Sequence, residues 1–425
     1  MKVQNAARFL ASVLLSMTVV GCGKQAPPEN TAATPPAETA AAPTKGERAL
    51  ALAQDSIIAD THIDTPSKLH RSLPEALGGT LEGTEFDYPR AKAGGLNAAF
   101  MSIYTPAVYK DEAGKSYEHA NQLIDVVEKM VSSAPDKFAI ALTPADVRAH
   151  AEQGLVSLPL GMENGSPIEG DLANIEYFHK RGIRYITLAH SLSNRISDSS
   201  YDEERQWDGL SDFGVEVVAE MNRLGIMIDI SHVSDEAFYD VMAVTKVPAI
   251  ASHSSARHFT PGFERNMSDE MIEALADNGG VIQINFGSTF ITREAREWSD
   301  KRSAAAKAFM ADNPDVTQDQ LAELFAPGFE AENGALPFAT IDDVLDHFDH
   351  AVALVGIDYV GIGSDYDGVG DSLPTGLKDV AAFPALIEGL IGRGYSDADI
   401  KKILGENLLR VWQAVEDYAA AQDAA

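Results

Sequence analysis

Cysteine is almost absent from this chain: there is one, Cys22, in 425 residues. A single thiol cannot close an intramolecular disulfide, so everything after it folds without covalent staples. Basic residues are scarce as well. Lys and Arg total 33 against 64 Asp and Glu, a formal net charge of −31. Phosphate binding needs cationic side chains to displace counterions, so this balance argues against a nucleic-acid partner. An acidic surface of this kind chiefly keeps a chain soluble. Apolar runs are short. Residues 9–20 are mostly apolar, but twelve residues are too few to span a bilayer comfortably.

What is present at the start has the form of a secretory leader. Lys2 and Arg8 supply a basic region, residues 9–20 an apolar one, and Val19-Val20-Gly21-Cys22 closes the segment. Those four residues resemble a bacterial lipobox, which implies cleavage before Cys22 and lipidation of its thiol. The only cysteine falls at that one position, which a chance cysteine behind an ordinary signal peptide would not explain. Gly23 and Lys24 follow without an aspartate, so the expected location is the outer membrane, facing the periplasm. Residues 23–47 are rich in Ala, Pro and Thr without apolar periodicity, as in a flexible tether. The expected organisation is a leader at 1–21, a lipidated Cys22 with its linker at 22–47, and one domain at 48–425.

From residue 48 onward short apolar, β-branched runs alternate with helical stretches, the pattern of βα units around a parallel sheet. Eight strands are expected, at 57–62, 96–104, 156–163, 184–190, 226–232, 248–253, 281–286 and 359–365. Eight such units specify a (β/α)₈ barrel of the TIM type. Pro159 is a blemish in the third strand, because proline removes a ladder donor. Helices are expected at 215–224, 235–244, 268–277, 342–355, 396–404 and 406–419. A charged, Ala-rich helical insertion at 292–336 separates strands seven and eight, where it could cover the barrel mouth.

Six strands end in a residue able to bind metal or move protons: His62 with Asp64, Glu163, His190, His232, His253 and Asp365. In this barrel the C-terminal strand ends converge on one mouth, where catalysis occurs. A lone histidine after an apolar run is most often a core or surface residue, and His70, His119, His150, His179, His258, His347 and His350 are read that way. Independent capping roles would not gather four histidines and three acids at equivalent places. Histidine and carboxylate ligands suit zinc and related divalent ions. His62 and Asp64 lie two apart on an extended segment and point to the same side. His232 and His253, from adjacent strands, can hold a second ion, and Glu163 is placed to bridge the two. Water between two such cations ionises near neutral pH and becomes a nucleophile for a carbonyl.

Over residues 48–420 the chain resembles the membrane dipeptidases. The resemblance rests on DTHID, GMENG, ITLAHSLSN, MIDISHVS, PAIASHSSAR, ERNMSDE, VIQINF, VGIGSDYDG and KKILGENLLRVW, in this order. It implies hydrolysis of dipeptides, including those with a C-terminal D-residue, and a pair of Zn²⁺ ions. One ion would take His62, Asp64 and Glu163, and the other Glu163, His232 and His253. It further implies that His190 polarises the scissile carbonyl, that Arg265 clamps the substrate carboxylate, and that Asp365 carries the proton to the leaving amine. Arg257 competes for the clamp. A homodimer is common among such proteins.

Two other readings stand beside this one. Other binuclear amidohydrolases, acting on cyclic amides, lactones or phosphoesters, usually begin with HxH on strand one and bridge with a modified lysine on strand four. Here strand one gives His62-Ile63-Asp64 and strand four ends in His190. A solute-binding lipoprotein would share the anchor and tether, but would have two doubly wound lobes and no need of ionisable strand ends.

Overall fold

The structure is a computed structural model and describes residues 21, 23 and 43–423. The expected leader, Cys22 and most of the expected tether therefore lie outside the described residues. The first helix, Lys45–Asp55, starts inside the segment expected to be tether, because Thr44 and Glu47 form a capping box. Among the described residues no helix is long and apolar enough to cross a membrane.

The described residues form ten strands: β1 (Ile58–Ile63), β2 (Leu96–Tyr104), β3 (Phe138–Ala139), β4 (Val156–Ser157), β5 (Leu160–Glu163), β6 (Ile183–Thr187), β7 (Met227–Asp229), β8 (Ile250–Ser254), β9 (Val281–Ile284) and β10 (Val360–Ile362). Every pairing is parallel, and the order β1-β10-β9-β8-β7-β6-β5-β2 closes on itself through β1 and β2. The eight-stranded barrel is the expected one, a single closed sheet and not two lobes. Its strands are buried on both faces, which is why they read as continuous apolar runs.

Two details depart from the sequence reading. The third expected strand is split at Leu158-Pro159 into β4 and β5, although both halves still pair with β2. The Pro159 carbonyl accepts from Met101 N at 2.8 Å, so proline costs the ladder a donor and not an acceptor. The freed half, β4, pairs outward with the two-residue β3, too short for any periodic signal. The expected ends of strands four, five, seven and eight also fray into turns, so paired segments are shorter than the apolar runs.

The helices fall close to expectation, with Ser211, Ser234 and Ser268 each accepting a backbone N–H at a helix start. The insertion forms helices Arg293–Asp312, Gln318–Leu324 and Ala326–Asn333. The barrel floor is sealed by the last helix, Asn407–Asp423. Its Leu408, Val411 and Trp412 pack with Ala59, Ala98, Met227, Ile250 and Val281, which open their strands or lie near their starts. Gly405 makes that approach feasible: a Cβ there would lie 2.7 Å from the Ile57 carbonyl oxygen. With one end closed by apolar packing, ionisable strand ends collect at the other.

Candidate metal centre

His62 lies within β1, and Asp64 follows that strand as the N-cap of helix Thr65–Arg71. Glu163 ends β5, and His253 is the penultimate residue of β8. His190, His232 and Asp365 each sit three residues beyond β6, β7 and β10. Two of these adopt left-handed backbone, His232 at φ 70° and Asp365 at φ 62°, as do Asn164 beside Glu163 (φ 78°) and Asp367 (φ 70°). Such backbone costs of order 1–3 kcal/mol at a non-glycine residue and persists only where its surroundings enforce it. Here they do. The His232 carbonyl accepts from Ser200 N at 2.8 Å, and Asp365 N donates to the His62 carbonyl at 3.1 Å.

The turns bring the groups together around one carboxylate. Glu163 Oε2 lies 3.3 Å from His62 Nε2, while Oε1 lies 3.3 Å from His232 Nε2 and 3.4 Å from both His253 Nε2 and His190 Nε2. His62 Nε2 is also 3.3 Å from Asp64 Oδ2. Each oxygen of Glu163 thus faces its own set of donors. His62, Asp64 and Asp365 form a further group whose donor atoms lie within 4.8 Å of one another. These residues are all buried except His190, whose side chain is 19% exposed.

The donor set fits a pair of divalent cations. Two ligands held tetrahedrally at about 2.0–2.1 Å from one ion lie about 3.3 Å apart, and that is the spacing found around Glu163. His62 Nε2 is buried without a hydrogen-bond partner, an orphaned polar atom that a cation would satisfy. The outward nitrogens of His62 and His253 are anchored, whereas Nδ1 of His190 and of His232 is buried without a partner. His62 Nδ1 is 2.8 Å from the Tyr185 hydroxyl, and His253 Nδ1 is 2.7 Å from Ser252 Oγ. Ser252 Oγ in turn donates to Asp229 Oδ2 at 2.6 Å.

Electrostatics agree with an anionic Glu163 flanked by neutral His232 and His253. Burial opposes ionisation of Glu163, but His62 and His190, with the His232 and His253 imidazoles beside it, hold its carboxyl well below the ordinary range. Burial holds His232 and His253 well below theirs, reinforced for His232 by Arg265 and for His253 by His62. For His62, Tyr185, Glu163 and Asp64 outweigh burial and hold it above its ordinary value. Asp365 is the contrary carboxyl: burial pushes it well up, and Asp64 and Glu163 add to this against the pull of His62.

Asp64, Glu163, His190, His232 and Asp365 open on a cavity of about 470 Å³ that Tyr104, Tyr201 and Phe290 also line. No residue of the insertion 292–336 lines it among the described residues; Phe290, just ahead, does. Arg265 is buried behind the rings, donating to the His253 carbonyl at 2.7 Å and Ser254 Oγ at 2.8 Å, with its Nε unpartnered. The competitor Arg257 is committed elsewhere, to Asp235 through both terminal nitrogens and to the Asn266 and Glu264 carbonyls. Sequence reasoning missed Tyr185, Asp229 and Asn285, the last donating to Asp365 Oδ2 at 2.7 Å. A polar residue inside an otherwise apolar strand, as in MIDISH and VIQINF, was the available signal.

A sequence model of the membrane dipeptidases, peptidase family M19, matches residues 46–425. This chain belongs to that family. It is accordingly a metallopeptidase of the dipeptidase class. Among relatives, the dipeptidase aclJ of Aspergillus oryzae is 33% identical over 341 residues, covering 79% of this chain and 71% of the relative. Among solved structures, the probable dipeptidase PvdM of Pseudomonas aeruginosa matches with a TM-score of 0.77 at 28% identity, covering 88% of this chain and 99% of that one. A metallopeptidase of Rhodobacter sphaeroides, solved with a phosphinate mimic of the dipeptide L-Ala-D-Ala, gives 0.69 at 26%, covering 85% and 100%.

Proposed function

We propose that this membrane dipeptidase uses two Zn²⁺ ions to split dipeptides, including those ending in a D-residue. The observation that carries the reading is the division of donors about Glu163. His62 faces one carboxylate oxygen, and His232 and His253 face the other. His62, Asp64 and Glu163 would hold one ion, and Glu163, His232 and His253 the second. Bound there, the ions supply the Lewis acidity that ionises water and polarises a carbonyl.

The chain's own residues do the rest. His190, the ring most open to the cavity, donates to the scissile carbonyl oxygen and steadies the charge that develops on it. Asp365 accepts the proton of the attacking water and returns it to the leaving amine. Its raised proton affinity suits that exchange, and Asn285 holds one of its oxygens in place. Arg265, with an unpartnered donor beside these rings, clamps the substrate carboxylate. The D-configured mimic bound by the Rhodobacter sphaeroides relative supports a C-terminal D-residue here. In the cell the enzyme hangs from the outer membrane by lipidated Cys22, facing the periplasm, and pairs as a homodimer; the leader sequence supports the first and the family resemblance the second.

The test is a panel of free dipeptides and their C-terminal amides, run with zinc-supplemented enzyme. L-Ala-L-Ala and L-Ala-D-Ala are cleaved while the amides stay nearly intact. Equal turnover of amides removes the carboxylate clamp from the reading, and no turnover of either dipeptide removes the activity.

A further inference from the structure

Three of the histidines and acids outside the catalytic centre converge on each other. His258 lies in the turn Arg257–Phe259, Asp269 opens the helix Asp269–Asp277, and His350 lies in the helix Ile341–Val355. One ligand atom from each lies within 4.8 Å of the other two. His350 Nε2 is 2.8 Å from Asp269 Oδ1, and the His258 and His350 rings stack at 4.4 Å with 25° between their planes. From these residues we infer a separate, mononuclear site for a divalent transition ion such as Zn²⁺, Ni²⁺ or Cu²⁺, completed by water.

The donor chemistry is the first support. Two imidazoles and a carboxylate form the N/O set that such ions favour and that Ca²⁺ and Mg²⁺ do not. The second is the contrast with His347, one turn earlier on the same helix. His347 is fully buried, and both its nitrogens are occupied, accepting from Ala256 N and donating to the Ile291 carbonyl. Packing explains that ring. It does not explain His258, which is exposed and forms no hydrogen bond to any described residue, yet lies flat against His350. The third is topological. Arg257 N bonds to the Met267 carbonyl at 2.7 Å and Met267 N to the Ser255 carbonyl at 2.9 Å, pinning the two feet of one loop together. His258 lies just past the first foot and Asp269 just past the second. An ion shared by them staples the base of that loop to the helix Ile341–Val355. The loop carries Arg265.

Metal counting on the zinc-loaded full-length enzyme tests the site. After equilibration with micromolar Zn²⁺ and removal of free ion, wild type holds one ion per chain more than His258→Ala or His350→Gln. The glutamine keeps a donor for Asp269, so its fold is preserved. Because the readout is a difference, it does not depend on how many ions the catalytic centre holds. Cu²⁺ added to the zinc-loaded enzyme gives a spin-resonance signal with nitrogen hyperfine structure in wild type that is missing from both variants. Equal counts in all three proteins overturn the inference, as does an additional ion that survives both substitutions.

Discussion

The Nε2 atoms of His232 and His253 face each other at 2.8 Å. The hydrogen bonds behind His253 fix its tautomer. Ser252 Oγ gives its proton to Asp229, so towards His253 it can only accept, and His253 Nδ1 must carry the hydrogen. The Nε2 lone pair is therefore free and directed at the space shared with Glu163.

Removing that anchor tests the arrangement. Ser252→Ala leaves His253 in place but frees its ring to flip or change tautomer. Loss of such a supporting partner typically lowers metal affinity about 10- to 100-fold. Competition with a chromophoric chelator measures it, and an unchanged affinity shows that Asp229 and Ser252 do not orient the ligand.

Gly368 is bound to the centre by space alone. A Cβ there would lie 2.1 Å from Asp365 Oδ1 and 2.3 Å from Asp64 Oδ2. Gly368→Ala should fold, at a cost of about 1–3 kcal/mol for overpacking, but displace both carboxylates. The expected result is weaker metal binding together with lost turnover, read by metal titration beside a dipeptide assay.

Ligand and proton carrier part company in two variants. His190→Ala should keep its metal content and lose about 10²–10³ in kcat, the usual worth of one oxyanion donor. Asp365→Asn should likewise keep its metal and lose about 10²–10⁴, the range for positioned proton transfer. Metal lost from either variant would reassign that residue as chiefly a ligand.

How far the sequence carried is visible in particular residues. Parallel strands are buried on both faces, so each reads as an apolar run, and an ionisable residue closing it stands out; His62, Glu163, His190 and Asp365 were legible for that reason. The left-handed backbone at His232 and Asp365 was not, because it is imposed by Ser200 and by the His62 carbonyl, from neighbouring strand ends distant in sequence. The break at Pro159 was flagged as a defect, but its consequence, a pairing of β4 with the two-residue β3, depends on a contact too local to leave a pattern. Asp229 and Tyr185 sit inside apolar strands and passed for core. The insertion 292–336 was recognised as helical, yet its absence from the lining of the cavity is a matter of tertiary packing that no periodicity encodes.

At the far end of the barrel Glu416 gives a pH dependence of unusual sign. Burial pushes its carboxyl from 4.5 up to about 7, with Asp146 and Asp417 adding to this and Arg184 opposing. The folded chain holds this proton more tightly than the unfolded one, so the stability tied to it is present below 4.5 and lost as pH rises through about 7. Glu416→Gln should therefore match wild type at pH 4 and exceed it at pH 8, measured by urea unfolding in excess zinc. A variant less stable than wild type at pH 8 contradicts this.

Anomalous diffraction at the zinc edge, from crystals grown in excess Zn²⁺, asks most directly whether Glu163 joins two cations. Two peaks should flank its carboxylate about 3.5–4 Å apart, one beside His62 and Asp64, the other beside His232 and His253. A single peak there, or none, would contradict the binuclear centre.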